Sequence, residues 1–447
     1  MSHLLTSKLA ETLYVSIEGL PIVDYHTHLP ADEILNDHSF ENIWELWLKH
    51  DHYKWRLMRC CGVAENLITG DASPKEKFHA FASILPLAIG NPVHQWAHME
   101  LEKVFNITIP LNAETADQIW TQTNRDLDSG LRVNNLLQQF KVKLIATTDD
   151  PYDDLASHKA IAAKNHPTKV LPTFRPDEHV LEDSIDLTSL KERHDYFHGM
   201  GCQMSDHGLA QIPRPGTPQY EALKAIAKWN HEKGWIMQLH LGPQRQVNTR
   251  LSGQTGPDAG FDTMGSKPQA ERLIYFLDDL DQSDQLPKII LYNLNPNESA
   301  SLCAALQNFQ QASSKSLALP DGRPLTGQAK LQSGRELTGQ AKLQSGRELA
   351  GQAKLHYGPA WWHLDHVRGI REQLDILTSM SALGTHIGML TDSRSFTSYV
   401  RHDYYRRILC SFLAEKAETG EMPNDHTLLT QTAQNIAYHN IKNYLSI

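Results

Sequence analysis

The chain has 447 residues, with 42 Lys and Arg against 52 Asp and Glu and a formal net charge of −10 at pH 7. At 40% hydrophobic, 21% charged and 8% aromatic, it reads as a soluble globular protein with a sizeable core, not a disordered or collagen-like one. The acidic balance offers no basic stripe, which argues against nucleic acid as a partner, and no apolar stretch is long enough to span a membrane.

In chain order, Ser7 to Glu18 has helical spacing at Leu9, Leu13 and Ile17 and leads into a first strand at Ile22 to Tyr25. His26 and His28 follow. Residues two apart in an extended chain point to the same side, so both imidazoles can aim at one point beyond the strand end. Neutral imidazole is the commonest nitrogen ligand for a divalent metal. In a chain with 24 histidines such a pair also arises by chance, so the reading needs a third ligand. Residues 31–126 carry helical periodicity and no clear strand, which predicts a helical insertion with Trp44, Trp47, Phe78, Phe81, Trp96 and Phe105 in its core.

Strand-like runs then recur at Lys143 to Thr148, Lys169 to Phe174, Gly201 to Ser205, Trp235 to Leu239, Lys288 to Tyr292, Lys354 to Tyr357 and His386 to Thr391. With the first strand this makes eight, most separated by amphipathic helices such as Tyr220 to Glu232 and Ala270 to Leu280. The pattern predicts an α/β fold, a single (β/α)8 TIM-like barrel domain over 1–447 with the helical insertion after strand one. Polar and ionisable residues follow the strands, at the catalytic end of such a barrel. No glycine-rich phosphate loop follows strand one, which weighs against a doubly wound sheet. A twelve-residue unit, Leu325 to Glu336, recurs at Leu337 to Glu348 and in part beyond, which predicts a tandem-repeat surface loop over 321–353. Tyr399 to Ile447 reads as closing helices, with His402, Arg406 and Arg407 facing either the barrel or solvent. The five cysteines, Cys60, Cys61, Cys202, Cys303 and Cys410, form no CxxC pair, and the N-terminal segment lacks an apolar signal core, so a cytoplasmic protein with reduced thiols is expected.

Asp392 ends the last strand, which neighbours the first in a closed barrel, and is the best third ligand beside His26 and His28. This pattern resembles the amidohydrolase superfamily. Longer strings narrow it: DYHTHLP (Asp24 to Pro30), HYKWR (His52 to Arg56), TGDAS (Thr69 to Ser73), TTDDP (Thr147 to Pro151), LPTFRPD (Leu171 to Asp177), GCQMSDH (Gly201 to His207), GFD (Gly260 to Asp262) and GMLTDSRSF (Gly388 to Phe396) together resemble uronate (glucuronate) isomerase. The resemblance implies interconversion of D-glucuronate with D-fructuronate and of D-galacturonate with D-tagaturonate. It implies one divalent metal, zinc in first place and not necessarily required for turnover, at His26, His28 and Asp392. It places Tyr53, Arg175, His207, His240, Trp361, Trp362, Asp365 and Arg394 around the sugar. The partner expected is a small hexuronate; a homo-oligomer stays open. The chain departs from the family pattern in its repeat and at Ala360-Trp361-Trp362-His363-Leu364.

The chemistry makes its own demands. A substrate carboxylate calls for arginine, and Arg175 and Arg394 both end strands; each could instead pair with Asp177 or Asp392. Moving a proton between carbons 2 and 1 through an enediol requires a base and help for the carbonyl oxygen, for which Asp392, His207, Tyr53 and a metal-bound water are candidates. A metal-dependent hydrolase of the same superfamily is the alternative, weakened because strand six ends in Asn293 rather than histidine and no lysine ends strand three or four.

Overall fold

The computed structural model describes residues 3–181, 184–310 and 353–447. Seven parallel strands line up in chain order: β1 (Ile22–Asp24), β2 (Val142–Ala146), β3 (Lys169–Leu171), β4 (Met204–Leu209), β5 (Ile236–Leu241), β6 (Lys288–Asn293) and β7 (Leu355–Tyr357). β1, β2 and β3 pair in one group and β4 to β7 in another. Phe174 joins the groups through parallel bridges to Asp149 and Ser205. The eighth predicted run, His386 to Thr391, takes no regular strand form but lies along the first: the Thr391 N–H and hydroxyl donate to the Asp24 carboxylate at 2.8 and 2.6 Å, and the Asp392 N–H donates to the His26 carbonyl at 3.2 Å. Positive φ at Gly388 (76°) and Asp392 (47°) breaks the extended pairing at both ends of this run. A side chain at Gly388 would strike the Ile436 carbonyl, so glycine is required there. The result is an α/β fold of the TIM-barrel kind.

Alternation along the strands sorts residues between two cores. Val23, Leu144, Ala146, Leu171, Met204, Ile236, Ile290 and Tyr292 pack together inside the barrel. Their neighbours Ile22, Val142, Ile145, Val170, Met237, Leu239, Ile289 and Leu291 pack outward with the helices. The fourth strand begins and ends later than its sequence run suggested, so Asp206 and His207 lie within it and point to opposite faces. The fifth likewise contains His240.

Every regular element between β1 and β2 is helical, from Ala31–Leu35 to Val133–Gln139. Trp47, Phe78, Phe81, Trp96 and Phe105 are buried there. The helix His52–Cys60 starts at Asp51, whose carboxylate accepts from the Tyr53 and Lys54 N–H groups. The helix Lys8–Val15 packs on Val400–Glu418, with Tyr14 donating to Asp403. On that C-terminal helix Arg406 donates to the carbonyls of Leu20 and Pro21, and His402 lies 3.8 Å from Asp24, so both face inward. The tandem repeat lies outside the described residues but for its last position. The five cysteines are free, and among the described residues no helix is long and apolar enough to cross a membrane.

Candidate active site

The site is built where β1 and the run ending at Asp392 meet. His26 Nε2 lies 3.1 Å and His28 Nε2 3.2 Å from the same oxygen, Asp392 Oδ1. The other oxygen, Oδ2, accepts from Trp361 Nε1–H at 2.6 Å. Burial alone would raise the Asp392 carboxyl, but the hydrogen bonds from His26 and His28 outweigh it and hold it well below the usual carboxylate range. Burial pushes His28 down to about 4.

A second cluster adjoins the first. Asp206, fully buried, lies 2.7 Å from His240 Nδ1, 2.9 Å from Arg175 Nη1 and 3.9 Å from His26 Nδ1. Arg175, then His240 and His26, outweigh burial and keep Asp206 ionised well below its ordinary range. His240 stacks flat on Tyr292, with ring centroids 4.1 Å apart, and its edge meets Trp361.

Two triads could therefore hold a cation: His26, His28 and Asp392, or His26, Asp206 and His240. Within each, the ligand atoms lie within 4.8 Å of one another. The buried atoms fit that purpose. His26 Nδ1 and His240 Nε2 are both buried without a hydrogen-bond partner, an arrangement that costs free energy unless something fills it. Asp206 holding Nδ1 of His240 leaves Nε2 presented, in the way carboxylates orient metal-binding histidines.

Of these groups, His26, His28, Arg175, His240, Trp361 and Asp392 line a cavity of about 520 Å³ together with His52, Asp177, Arg245, Asp258, Asp262, Trp362 and Arg394, and Asp206 lies buried behind them. Three arginines enter it. Arg175 gives Nη1 to Asp206 at 2.9 Å and Nε to Asp177 at 3.2 Å. Arg245 pairs with Asp262 at 2.7 Å. Arg394 gives Nη2 to Asp258 at 2.7 Å, while its Nε is buried without an acceptor.

Three residues expected around the sugar do not line the cavity. His207, on the outward face of β4, lies 2.9 Å from Ser205 Oγ and 3.8 Å from Asp177, so strand alternation turns it away while turning Asp206 in. Tyr53 donates to Asp365 Oδ2 at 2.8 Å, and Arg401 stands 3.9 Å from the same oxygen. Burial holds the Tyr53 hydroxyl well above its ordinary value and raises Asp365. Sequence reasoning did not single out the lining residues His52, Arg245 and Asp258, nor the buried Asp206 behind them. Period-two counting from Met204 would have found Asp206. No spacing marks the two loop residues Arg245 and Asp258.

A profile of the glucuronate isomerase family matches residues 1–221, 216–319 and 338–445. The chain is 36% identical to a uronate isomerase of Opitutus terrae, covering 99% of this chain and 96% of that one. It is 37% identical to that of Caldanaerobacter subterraneus subsp. tengcongensis, covering 99% and 98%. Among solved structures it is similar to the uronate isomerase of Thermotoga maritima, with a TM-score of 0.84, 29% identity and coverage of 99% and 98%. The glucuronate isomerase of Caulobacter crescentus shares the fold, with a TM-score of 0.81, 22% identity and coverage of 100% and 96%.

Proposed function

Because the chain belongs to the glucuronate isomerase family, an aldose–ketose isomerase acting on uronates, we propose that Asp392 both anchors a single divalent cation with His26 and His28 and carries the proton of the isomerisation. The substrates are D-glucuronate and D-galacturonate in open-chain form. Arg394 receives the sugar carboxylate, since it is the cavity arginine with an unused buried N–H, whereas Arg175 already holds two carboxylates. Asp392 takes the proton from carbon 2, and the electron pair left behind forms the C1–C2 double bond while the C1 carbonyl oxygen takes up a proton, giving the enediol. The C2 hydroxyl then gives up its proton, its electrons form the new C2 carbonyl, and the C1–C2 pair takes the Asp392 proton at carbon 1 to give the ketose, so that the oxygens exchange one proton, from O2 to O1. His26, His28 and Asp392 would hold a divalent cation, zinc by the N,N,O donor set, which would supply positive charge to stabilise the developing charge on the sugar oxygens. Trp361 orients Asp392 through its indole N–H, and His240, Trp361 and Trp362 wall the sugar. Tyr53 and Asp365, held with Arg401, support that wall, and His207 braces Asp177.

The observation that carries this reading is the single carboxylate met by two histidines on one oxygen and an indole on the other. The hydrolase alternative is not favoured: Asn293 Nδ2 of strand six is taken up by the Asn295 carbonyl at 2.6 Å, leaving no histidine at that position. The test is a coupled assay with D-glucuronate and D-galacturonate on chelated and reloaded protein, alongside elemental analysis. Turnover with about one metal per chain is expected; absence of turnover with either sugar, or two metals per chain, refutes the assignment.

A further inference from the structure

Arg394 is not free to receive a ligand as it stands. Its Nη2 is engaged by Asp258 Oδ2 at 2.7 Å, and the adjacent Nε–H is buried without an acceptor. A carboxylate binding side-on to a guanidinium uses the Nε and Nη2 edge together. Asp258 thus occupies one of the two donors that a sugar carboxylate would take, and two carboxylates cannot share that edge without repulsion.

Asp258 is also placed to leave. It has φ of 55°, in the left-handed region, and stands between Gly256 and Gly260, at φ 84° and 89°. Such a run is a turn whose dihedrals change at low steric cost. The residue lines two cavities, the catalytic one and a neighbour of about 350 Å³ that shares Pro257, Asp258 and Arg394 with it. The neighbour is basic: Lys49, His50 and Lys77 line it. Lys77 is 7% exposed and, among the described residues, enters no ion pair, its ammonium resting over the Trp44 ring at 5.0 Å. A carboxylate displaced from Arg394 turns from one cation towards others.

On the reading that Arg394 holds the substrate carboxylate, we infer that Asp258 is an affinity-setting residue that occupies Arg394 in the free enzyme and is exchanged for the carboxylate of the incoming sugar acid. A neutral sugar cannot drive the exchange. The ion pair therefore lowers affinity for all sugar acids, and it leaves Arg394 neutralised whenever the cavity holds a sugar without a carboxylate.

The experiment is calorimetric titration of the metal-loaded enzyme with D-gluconate, which has the carboxylate but no carbonyl to isomerise, and with D-sorbitol, which has neither. Asp258→Asn should bind gluconate about 3- to 10-fold more tightly, the factor expected on removing a half-exposed competing ion pair, with sorbitol unchanged. Gluconate binding that weakens or stays constant overturns the exchange. Asp258→Ala should give the same gain, and carries the test if the Asn variant melts early. Arg394→Met separates the two readings. Gluconate affinity that survives it overturns the clamp itself. Affinity lost there, with no gain from Asp258→Asn, leaves the clamp standing and overturns only the exchange.

Discussion

Trp361→Phe removes one hydrogen bond and keeps an aromatic ring. The indole N–H donates at 2.6 Å to Asp392 Oδ2, the oxygen not used by the histidines. A hydrogen bond to a charged acceptor contributes about 1.5–3 kcal/mol, and 1.4 kcal/mol is tenfold in an equilibrium or a rate, so loss of this one should weaken metal binding about 10- to 100-fold. Trp361 also contacts the His240 and Tyr292 rings, and trimming it to Phe leaves a cavity that costs about 1–3 kcal/mol of stability. The two effects separate by assay. Competition against a chromogenic chelator, without sugar present, reads the metal affinity; thermal unfolding of the chelated protein reads the cavity. Turnover on saturating metal should recover in part, because Asp392 then remains in place but less well oriented. If the variant binds metal as tightly as the parent while its melting temperature falls, Trp361 is packing alone and its orientation of Asp392 is refuted.

Arg394→Lys keeps the charge and loses the planar fork, so KM for both uronates should rise at least about tenfold with a smaller change in kcat; an unchanged KM moves the carboxylate to Arg175. Asp392→Asn should abolish both turnover and metal retention, since the amide neither accepts the proton nor binds as an anion; isomerisation run in deuterium oxide on the parent enzyme should label carbon 1. Burial pushes the Asp149 carboxyl up to about 7. A carboxyl raised in the folded state binds its proton more tightly there, so its contribution is favourable at low pH and is lost as pH rises from about 4 to about 7. The melting temperature of Asp149→Asn relative to the parent should therefore climb across that window, by an amount equivalent to up to about 4 kcal/mol; a difference that is flat with pH contradicts it.

Much of the barrel was legible because strand interiors obey simple alternation, as Ile289, Ile290 and Leu291 show by dividing between the two cores. The last run was harder to read: His386 to Thr391 looks like a strand, yet Gly388 and Asp392 adopt positive φ, and a sequence gives only weak warning of that for an aspartate. His26, His28 and Asp392 stood out because the geometry bringing them together is set by strand ends. Asp206 and His207 show the opposite case. Shifting the fourth strand three residues later, to Met204–Leu209, puts both inside it and turns Asp206, not His207, towards His26 and His240. Tyr53 and Asp365 pair through tertiary contact between residues 312 apart, which no local pattern encodes. Asp258 belongs to an irregular loop, where neither period applies.

The joining of Asp392 to His26 spans 366 positions in sequence. During synthesis the two histidines leave the ribosome early, while the carboxylate that completes their triad arrives only near the end of the chain, after every strand from β2 to β7. If His26, His28 and Asp392 hold the cation as proposed, a nascent chain carries an incomplete ligand set that would hold it weakly, and capture would become tight only as the last run docks along the first. On the proposed assignment, metal loading would be a late event that reports completion of the ring, and any truncation before residue 392 should yield a fragment whose histidines remain open to exchange.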